Sequence, residues 1–377
     1  MSGTVIRSKT GSPQESAPRA GKNFEKSGSP GIEELRRSMI GGRLTPENSL
    51  MVIFLGNEEH VREVEDSGIT PRQRLEAARN GQVDAVILYC SDARMVGMDN
   101  ARNPEIFIHI RVAGNSMPDS GASLEEIQDA VSLLKPDGVL VVASHVHCGA
   151  ITEYVKWDKS SSTGSESLDY LLKAIAGDTP EENALAQVER ASSVLDLGGR
   201  KAVALHYDWT TENGMSSLSE DVPEPVRHII DVAIKNHASA NAGGQLTEKL
   251  AKQTPHVMIV AADDLPMGVP SIVASKQNEV FVTTGSKHGL DMMDIASDFY
   301  AATHMGQNHI AFIAPGAKED EPEVSRLFMK WESDLRVEPE LAKRIDDGRL
   351  TVSRLRYDLD SGRLSLLGSG MQSPNTI

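Results

Sequence analysis

The sequence predicts an α/β fold built twice over, two mostly parallel sheets each flanked by helices. Two observations carry this. From about residue 31 onward, short apolar β-rich runs alternate with segments of helical periodicity, the signature of strand–helix–strand units. The same order of elements then returns, displaced by roughly 150 to 175 residues.

Taken in order, residues 32–40 and 71–80 read as helices, and 85–90 and 106–112 as strands. Residues 123–134 place Leu124, Ile127, Ala130, Val131 and Leu134 on one helical face. Residues 138–143 are apolar throughout, as expected of a strand covered on both faces. A helix over 184–197 and a strand over 202–209 complete the first half. In the second, 255–265 echoes 83–94 and 278–282 echoes 104–108. A helix over 295–303 and a strand over 309–314 follow, and 355–364 echoes the stretch from Leu205 to Met215.

The chain divides accordingly into three expected parts. Residues 1–30 are rich in Ser, Gly, Pro and basic side chains, too poor in apolar surface to offset their ordering entropy, and are expected to be a disordered tail. Its excess of Arg7, Lys9, Arg19, Lys22 and Lys26 over Glu15 and Glu25 leaves room for docking to an acidic partner. Residues 31–222 form the first domain and 223–377 the second.

Composition excludes several functions. A formal charge of −16 argues against nucleic acid and anionic membranes as partners. No apolar stretch approaches the ~20 residues of a membrane span, and the N-terminus lacks the apolar core of a secretion signal. Two cysteines in 377 residues are too few for a disulfide scaffold, so a reducing, cytoplasmic setting is expected.

Those two cysteines carry the chemistry. Cys90 and Cys148 each close an apolar run at a predicted strand end, where ligands of parallel sheets bind. With His145, three residues before Cys148, they offer two thiolates and an imidazole, the three-ligand set of a zinc site with one open position. Zinc there would lower the pKa of water towards neutrality. Asp92 can accept a hydrogen bond from the resulting hydroxide, or ligate the metal itself, and Arg94 can hold Asp92 ionised. Gly149 leaves room for a close backbone approach. His147 is a second-choice ligand. Inert buried thiols, a Cys90–Cys148 disulfide, a satisfied core histidine and a plain Asp92–Arg94 surface pair are the blander readings. His288, His304 and His309 lie near Asp291 and Asp294 without a thiol, and read as solvated polar residues. The repeat has lost the set: Cys90 falls opposite Ala261, Arg94 opposite Leu265, His145 opposite Pro315 and Cys148 opposite Lys318, while Asp92 keeps Asp263.

With Cys90-Ser91-Asp92-Ala93-Arg94, His145-Val146-His147-Cys148-Gly149 and Arg111-Val112-Ala113-Gly114-Asn115 in this order, the chain resembles the β-class carbonic anhydrases over about residues 48–220. Leu55-Gly56-Asn57 is similar to the family's Gly-Asn upstream, and His206-Tyr207-Asp208 to its last strand. The resemblance implies two β-carbonic-anhydrase-like domains forming an internal pseudo-dimer, the degenerate one lining the pocket of the live one. It implies one zinc per chain on Cys90, His145 and Cys148, with Asp92 and Arg94 as the catalytic dyad. The reaction would be reversible hydration of CO2 to bicarbonate and a proton by zinc-held hydroxide. Asp92 swinging onto the metal would give a closed, inactive state. Hydrolysis of COS or CS2 on the same fold, and a non-catalytic zinc scaffold, are the alternatives. The resemblance also admits a homo-oligomer of pseudo-dimers and residence in a protein microcompartment. Three departures touch the pocket: Ser144 where the family has Gly, Met95-Val96-Gly97 after Arg94, and a polar insertion over 157–182.

Overall fold

The computed structural model describes residues 45–95, 98, 105–211, 214–240, 255, 257–275 and 279–367. The expected helix at 32–40 and the tail at 1–30 lie outside the described residues.

Two five-stranded sheets are present. The first comprises β1 (Val83–Tyr89), β2 (Phe107–Arg111), β3 (Leu134–His145), β4 (Lys201–Tyr207) and β5 (Met215–Ser217). The second comprises β6 (Val257–Ala262), β7 (Val280–Gly285), β8 (His309–Pro315), β9 (Thr351–Tyr357) and β10 (Leu364–Leu366). Their orders match, β2-β1-β3-β4-β5 and β7-β6-β8-β9-β10, parallel except for the last, antiparallel pair of each. The helices of the first half are α1 (Pro46–Ser67), α2 (Pro71–Arg79), α3 (Ala122–Ser132), α4 (Gly149–Lys156), α5 (Glu166–Ala174) and α6 (Pro180–Val194). Those of the second are α7 (Glu224–Ala240), α8 (Val269–Ile272), α9 (Met292–Thr303), α10 (Glu321–Leu335) and α11 (Pro339–Asp346). The chain is thus internally duplicated.

Capping chemistry explains where several helices begin. Thr45 accepts from the Asn48 N–H with Pro46 in the first turn, and Gly68 ends α1 at φ 68°. Thr70 with Gln73, and Thr179 with Glu182, form capping boxes. The second starts α6 at Pro180, four residues ahead of the apolar pattern used to place it. The insertion at 157–182 is not wholly polar in effect: it contains α5, whose Leu171 and Leu172 are buried. The spacing of Leu168, Leu171 and Leu172 was its signal.

The long helix ahead of each sheet packs on the other sheet. Ile53 and Val64 of α1 join the core of the second sheet, and Val226, Ile229 and Ala233 of α7 join that of the first. Gly56 is required here, because a Cβ would sit 1.7 Å from the Val273 carbonyl oxygen. Buried Asn57 donates to the Ile272 and Gly362 carbonyls and accepts from the Leu364 N–H. The exchange is reciprocal. His60 Nε2 meets the Tyr357 hydroxyl at 2.8 Å, and His237 Nδ1 meets the Tyr207 hydroxyl at 2.8 Å. Tyr207 and Tyr357 hold equivalent places at the ends of β4 and β9. The division at residue 222 is therefore one of sequence, and packing crosses it in both directions.

The sheets also meet directly. Val282 N–H donates to the Ser91 carbonyl, Arg111 N–H to the Thr284 hydroxyl, and Ala113 N–H to the Ser297 hydroxyl. Not all the second-half polar residues are solvated as expected. His309 and Asp294 are buried, and Asp291 caps α9 while accepting from Ser123 of α3. Asp291 and Asp294 stand where α9 meets α3, and His309 is held inside the second sheet by the Thr351 hydroxyl at 2.9 Å. His288 and His304 are exposed, as expected.

Candidate metal centre

β1 and β3 are parallel neighbours, with Tyr89 paired to Ala143, so the residues just beyond them share one sheet edge. Cys90 follows β1 and His145 ends β3. The chain then turns through His147, which takes a left-handed φ of 54°, and delivers Cys148 as the residue capping the N-terminus of α4. There the helix N–H groups favour a thiolate, through the Ile151 N–H, against the Cys90 contact and burial, which push Cys148 up. The ligand atoms of Cys90, His145 and Cys148 all lie within 4.8 Å of one another, and all three residues are buried. Among the described residues this is the one such cluster. His147 is not in it.

The set fits a tetrahedral metal. The sulfurs are 3.9 Å apart, both cysteines are free, and two Zn–S bonds of about 2.3 Å at a tetrahedral angle span about 3.8 Å. A disulfide needs about 2.05 Å. His145 Nδ1–H donates to the Val146 carbonyl at 2.8 Å, which leaves Nε2 as the lone-pair nitrogen. Nε2 is buried and has no hydrogen-bond partner, the state expected of a ligand atom. The stretch 111–115 finds its use here. Gly114 sits at φ 69° and donates its N–H to Cys90 Sγ at 3.3 Å, while Asn183 holds its carbonyl at 2.7 Å. The hydrogen bond from Cys148 holds the Cys90 thiol well below its ordinary value against burial, and the same contact with burial pushes the Cys148 thiol up.

Asp92 and Arg94 stand beside this cluster as a buried pair, with side-chain exposures of 3% and 5%. Arg94 Nε and Nη2 donate to Oδ1 and Oδ2 at 2.9 and 2.6 Å, and the Arg94 backbone N–H donates to Oδ1 at 2.8 Å. Arg94 Nη2 also reaches the His147 carbonyl at 2.8 Å, tying the dyad to the turn that carries Cys148. Burial pushes the Asp92 carboxyl up, but His145 and Arg94 outweigh it and hold it below the usual range. Asp92 Oδ2 lies 3.6 Å from His145 Nε2.

A cavity of about 20 Å³ opens beside the cluster, room for about one water-sized molecule. Cys90, Asp92, Leu168 and Leu172 line it from the first half, and Phe281 and Tyr300 from the second. A Cβ on Gly149 would sit 3.1 Å from the Tyr300 hydroxyl, so the close approach expected at Gly149 is that of a phenol from the other half. Burial, then the Glu153 and Asp92 carboxylates, push the pKa of that hydroxyl up. His304 stacks on the Tyr300 ring at 4.8 Å. Residue reading missed Phe281 and Tyr300, since nothing in their local sequence marks them as facing another half's site. Ser144 is buried, donates to the Leu205 carbonyl at 3.2 Å and meets His206 Nδ1 at 2.9 Å, so it ties β3 to β4.

Register places the second-half counterparts of the cluster residues. His145 pairs with Tyr207 as Pro315 pairs with Tyr357, which confirms Pro315 as its counterpart. Tyr89 pairs with Ala143 and Ala261 with Ile313, so Cys90 stands opposite Ala262 and Asp92 opposite Asp264, each one residue beyond the match read from sequence. The residue type at the cysteine position is alanine either way.

Residues 85–215 match the family model described as carbonic anhydrase. Among solved structures, the chain is similar to the β-carbonic anhydrase CcaA (13% identity, 37% of this chain and 87% of that one, TM-score 0.30). It is also similar to a Coccomyxa β-carbonic anhydrase in complex with acetazolamide (15%, 40% and 87%, TM-score 0.31). A third is an apo form of a carbon disulfide hydrolase (17%, 40% and 84%, TM-score 0.25). No curated protein matches the chain. The family match takes in all the metal-cluster residues and the Asp92–Arg94 pair. Phe281 and Tyr300 lie beyond it.

Proposed function

We propose, on the match of residues 85–215 to the family model described as carbonic anhydrase, that this chain catalyses the reversible hydration of carbon dioxide to bicarbonate and a proton. One zinc would be held by Cys90, His145 and Cys148. The observation that carries the reading is that three-ligand cluster, with sulfurs 3.9 Å apart and an unpartnered His145 Nε2, beside a buried Asp92–Arg94 pair. The metal's contribution is to make hydroxide available from water near neutral pH.

The residues around it would do the rest. Cys90 and Cys148 supply two negative charges, and the Gly114 N–H orients one of them. Asp92, held ionised and oriented by Arg94, presents a carboxylate that accepts a hydrogen bond from the nucleophile and fixes its direction. Leu168, Leu172 and Phe281 give the cavity an apolar wall, which suits an uncharged linear substrate and excludes bulk water. The Tyr300 hydroxyl lines the same cavity and offers a polar group beside the Asp92 carboxylate through which a proton could pass. In this reading the live domain is 31–222 and the degenerate domain 223–377 completes its pocket. Substrate and product are small molecules, with no role for nucleic acid or a membrane; no helix among the described residues is long and apolar enough to cross one.

The test is stopped-flow CO2 hydration on the purified chain with its zinc content measured, and COS and CS2 as parallel substrates. About one zinc per chain is expected, with rapid CO2 turnover. A chain carrying one zinc that leaves CO2 untouched would refute the reading, and hydrolysis of COS or CS2 alone would reassign it.

A further inference from the structure

We propose that Trp209 is a positioning residue of the metal centre, whose single indole backs both His145 and Arg94. The proposal rests on the reading of Cys90, His145 and Cys148 as metal ligands. Trp209 lies two residues beyond β4, at the same sheet edge as the cluster, and is 2% exposed. Its ring stacks on the His145 imidazole, with centroids 5.9 Å apart and planes at 29°. The Arg94 guanidinium carbon lies 4.8 Å from the indole centroid, so the cation rests on the ring face. His147, the left-handed residue whose carbonyl receives Arg94 Nη2, stands 5.9 Å from the same indole.

One rigid surface therefore meets a metal ligand, the cation of the Asp92–Arg94 pair and the turn leading to Cys148. The first two need it. His145 is tethered by a single hydrogen bond to the carbonyl of its own neighbour, which selects the tautomer but leaves the ring free to tilt. The stack removes that tilt. Arg94 uses its edge on Asp92 and the His147 carbonyl, and the indole closes its face. Sites of this kind tolerate only about 0.5 Å and 10–20° of error, so a support that acts on two groups at once has leverage on both.

The experiment compares Trp209→Leu, which keeps an apolar filler but no ring, with Trp209→Phe, which keeps a smaller ring. The metal-stripped full-length chain is titrated with Co2+, following the thiolate-to-cobalt absorption. Leucine is expected to weaken uptake about 10- to 100-fold and to alter the band, the usual range for loss of a group that orients a ligand. Phenylalanine is expected to recover most of both. In CO2 hydration at saturating metal, the leucine variant should lose kcat with little change in KM. Circular dichroism and melting check the fold, and Trp209→Met replaces leucine if that variant is unfolded. Wild-type cobalt affinity and spectrum in the ring-less variant would overturn the proposal. The cobalt titration is independent of turnover. A wild-type chain that binds cobalt but leaves CO2 untouched would therefore sink the functional reading alone.

Discussion

Replacing Arg94 with glutamine gives the most direct test of the dyad. The change removes the donors to Asp92 at 2.9, 3.2 and 2.6 Å and leaves only the backbone N–H at 2.8 Å. The carboxylate it abandons has 3% side-chain exposure, so bulk water cannot replace the lost donors and the adjoining cavity has room for about one water. Breaking a buried pair by deleting one partner costs about 3–5 kcal/mol, chiefly because a charge is left buried and uncompensated. The sign with pH follows from the lowered Asp92 pKa. A carboxyl held low in the fold contributes stability above its ordinary pKa, and that contribution is lost as pH falls through the folded value. The deficit of Arg94→Gln is therefore largest near neutrality and shrinks in acid, because the abandoned carboxyl, pushed up by burial without Arg94 to hold it low, takes up its proton at a higher pH than in wild type. Turnover should fall by about 10²–10⁴, the range for a misplaced acid–base group, while all three metal ligands remain. Urea unfolding of the metal-free chain at pH 7 and pH 4, zinc content and CO2 hydration together check this. A variant with the wild-type midpoint at both pH values and full turnover would show that the pair is an ornament of the fold.

Other outcomes are expected. Cys148→Ser should lose both zinc and turnover, measured by metal analysis after gel filtration; a zinc-replete variant would refute the ligand assignment. Tyr300→Phe should lower kcat with KM unchanged, and small buffer molecules should restore it if the hydroxyl carries protons; an unrestored loss would point to pocket shape instead. Asn57→Ala strips two carbonyls and one N–H of their buried partner. It should cost about 3 kcal/mol at roughly 1 kcal/mol per bond, and an unchanged denaturation midpoint would contradict the exchange of α1 onto the second sheet. Asp298 is fully buried, accepts from the Thr283 hydroxyl through Oδ1, and has no partner for Oδ2 among the described residues. Burial pushes its pKa to about 8. Its stability contribution is complete below the ordinary carboxylate pKa and is lost as pH rises through about 8. Asp298→Asn should therefore flatten the fall in stability between pH 5 and pH 9, and a pH profile parallel to wild type would overturn that account.

The sequence by itself determined the sheets and singled out the candidate metal cluster, because both are written in short-range patterns. Residues 138–143 are apolar at every position since β3 is covered on both faces, and Cys90, Asp92, Arg94, His145 and Cys148 sit within two short segments at strand ends. The duplication was legible for the same reason, though only register could align Cys90 with Ala262 rather than Ala261. What tertiary structure alone decided concerns contacts between residues far apart in the chain. Helix α1 carried clear capping signals in Thr45, Pro46 and Gly68, yet nothing local says that it packs on the second sheet. Phe281 and Tyr300 look like ordinary apolar and helical residues until the second half is folded against the first. Trp209, two residues past a strand, becomes the back wall of the cluster only when β4 lies beside β3. Local pattern encodes periodicity and ligand type, whereas the closing of a cavity across about 200 residues depends on how two separately patterned halves bury their remaining apolar faces.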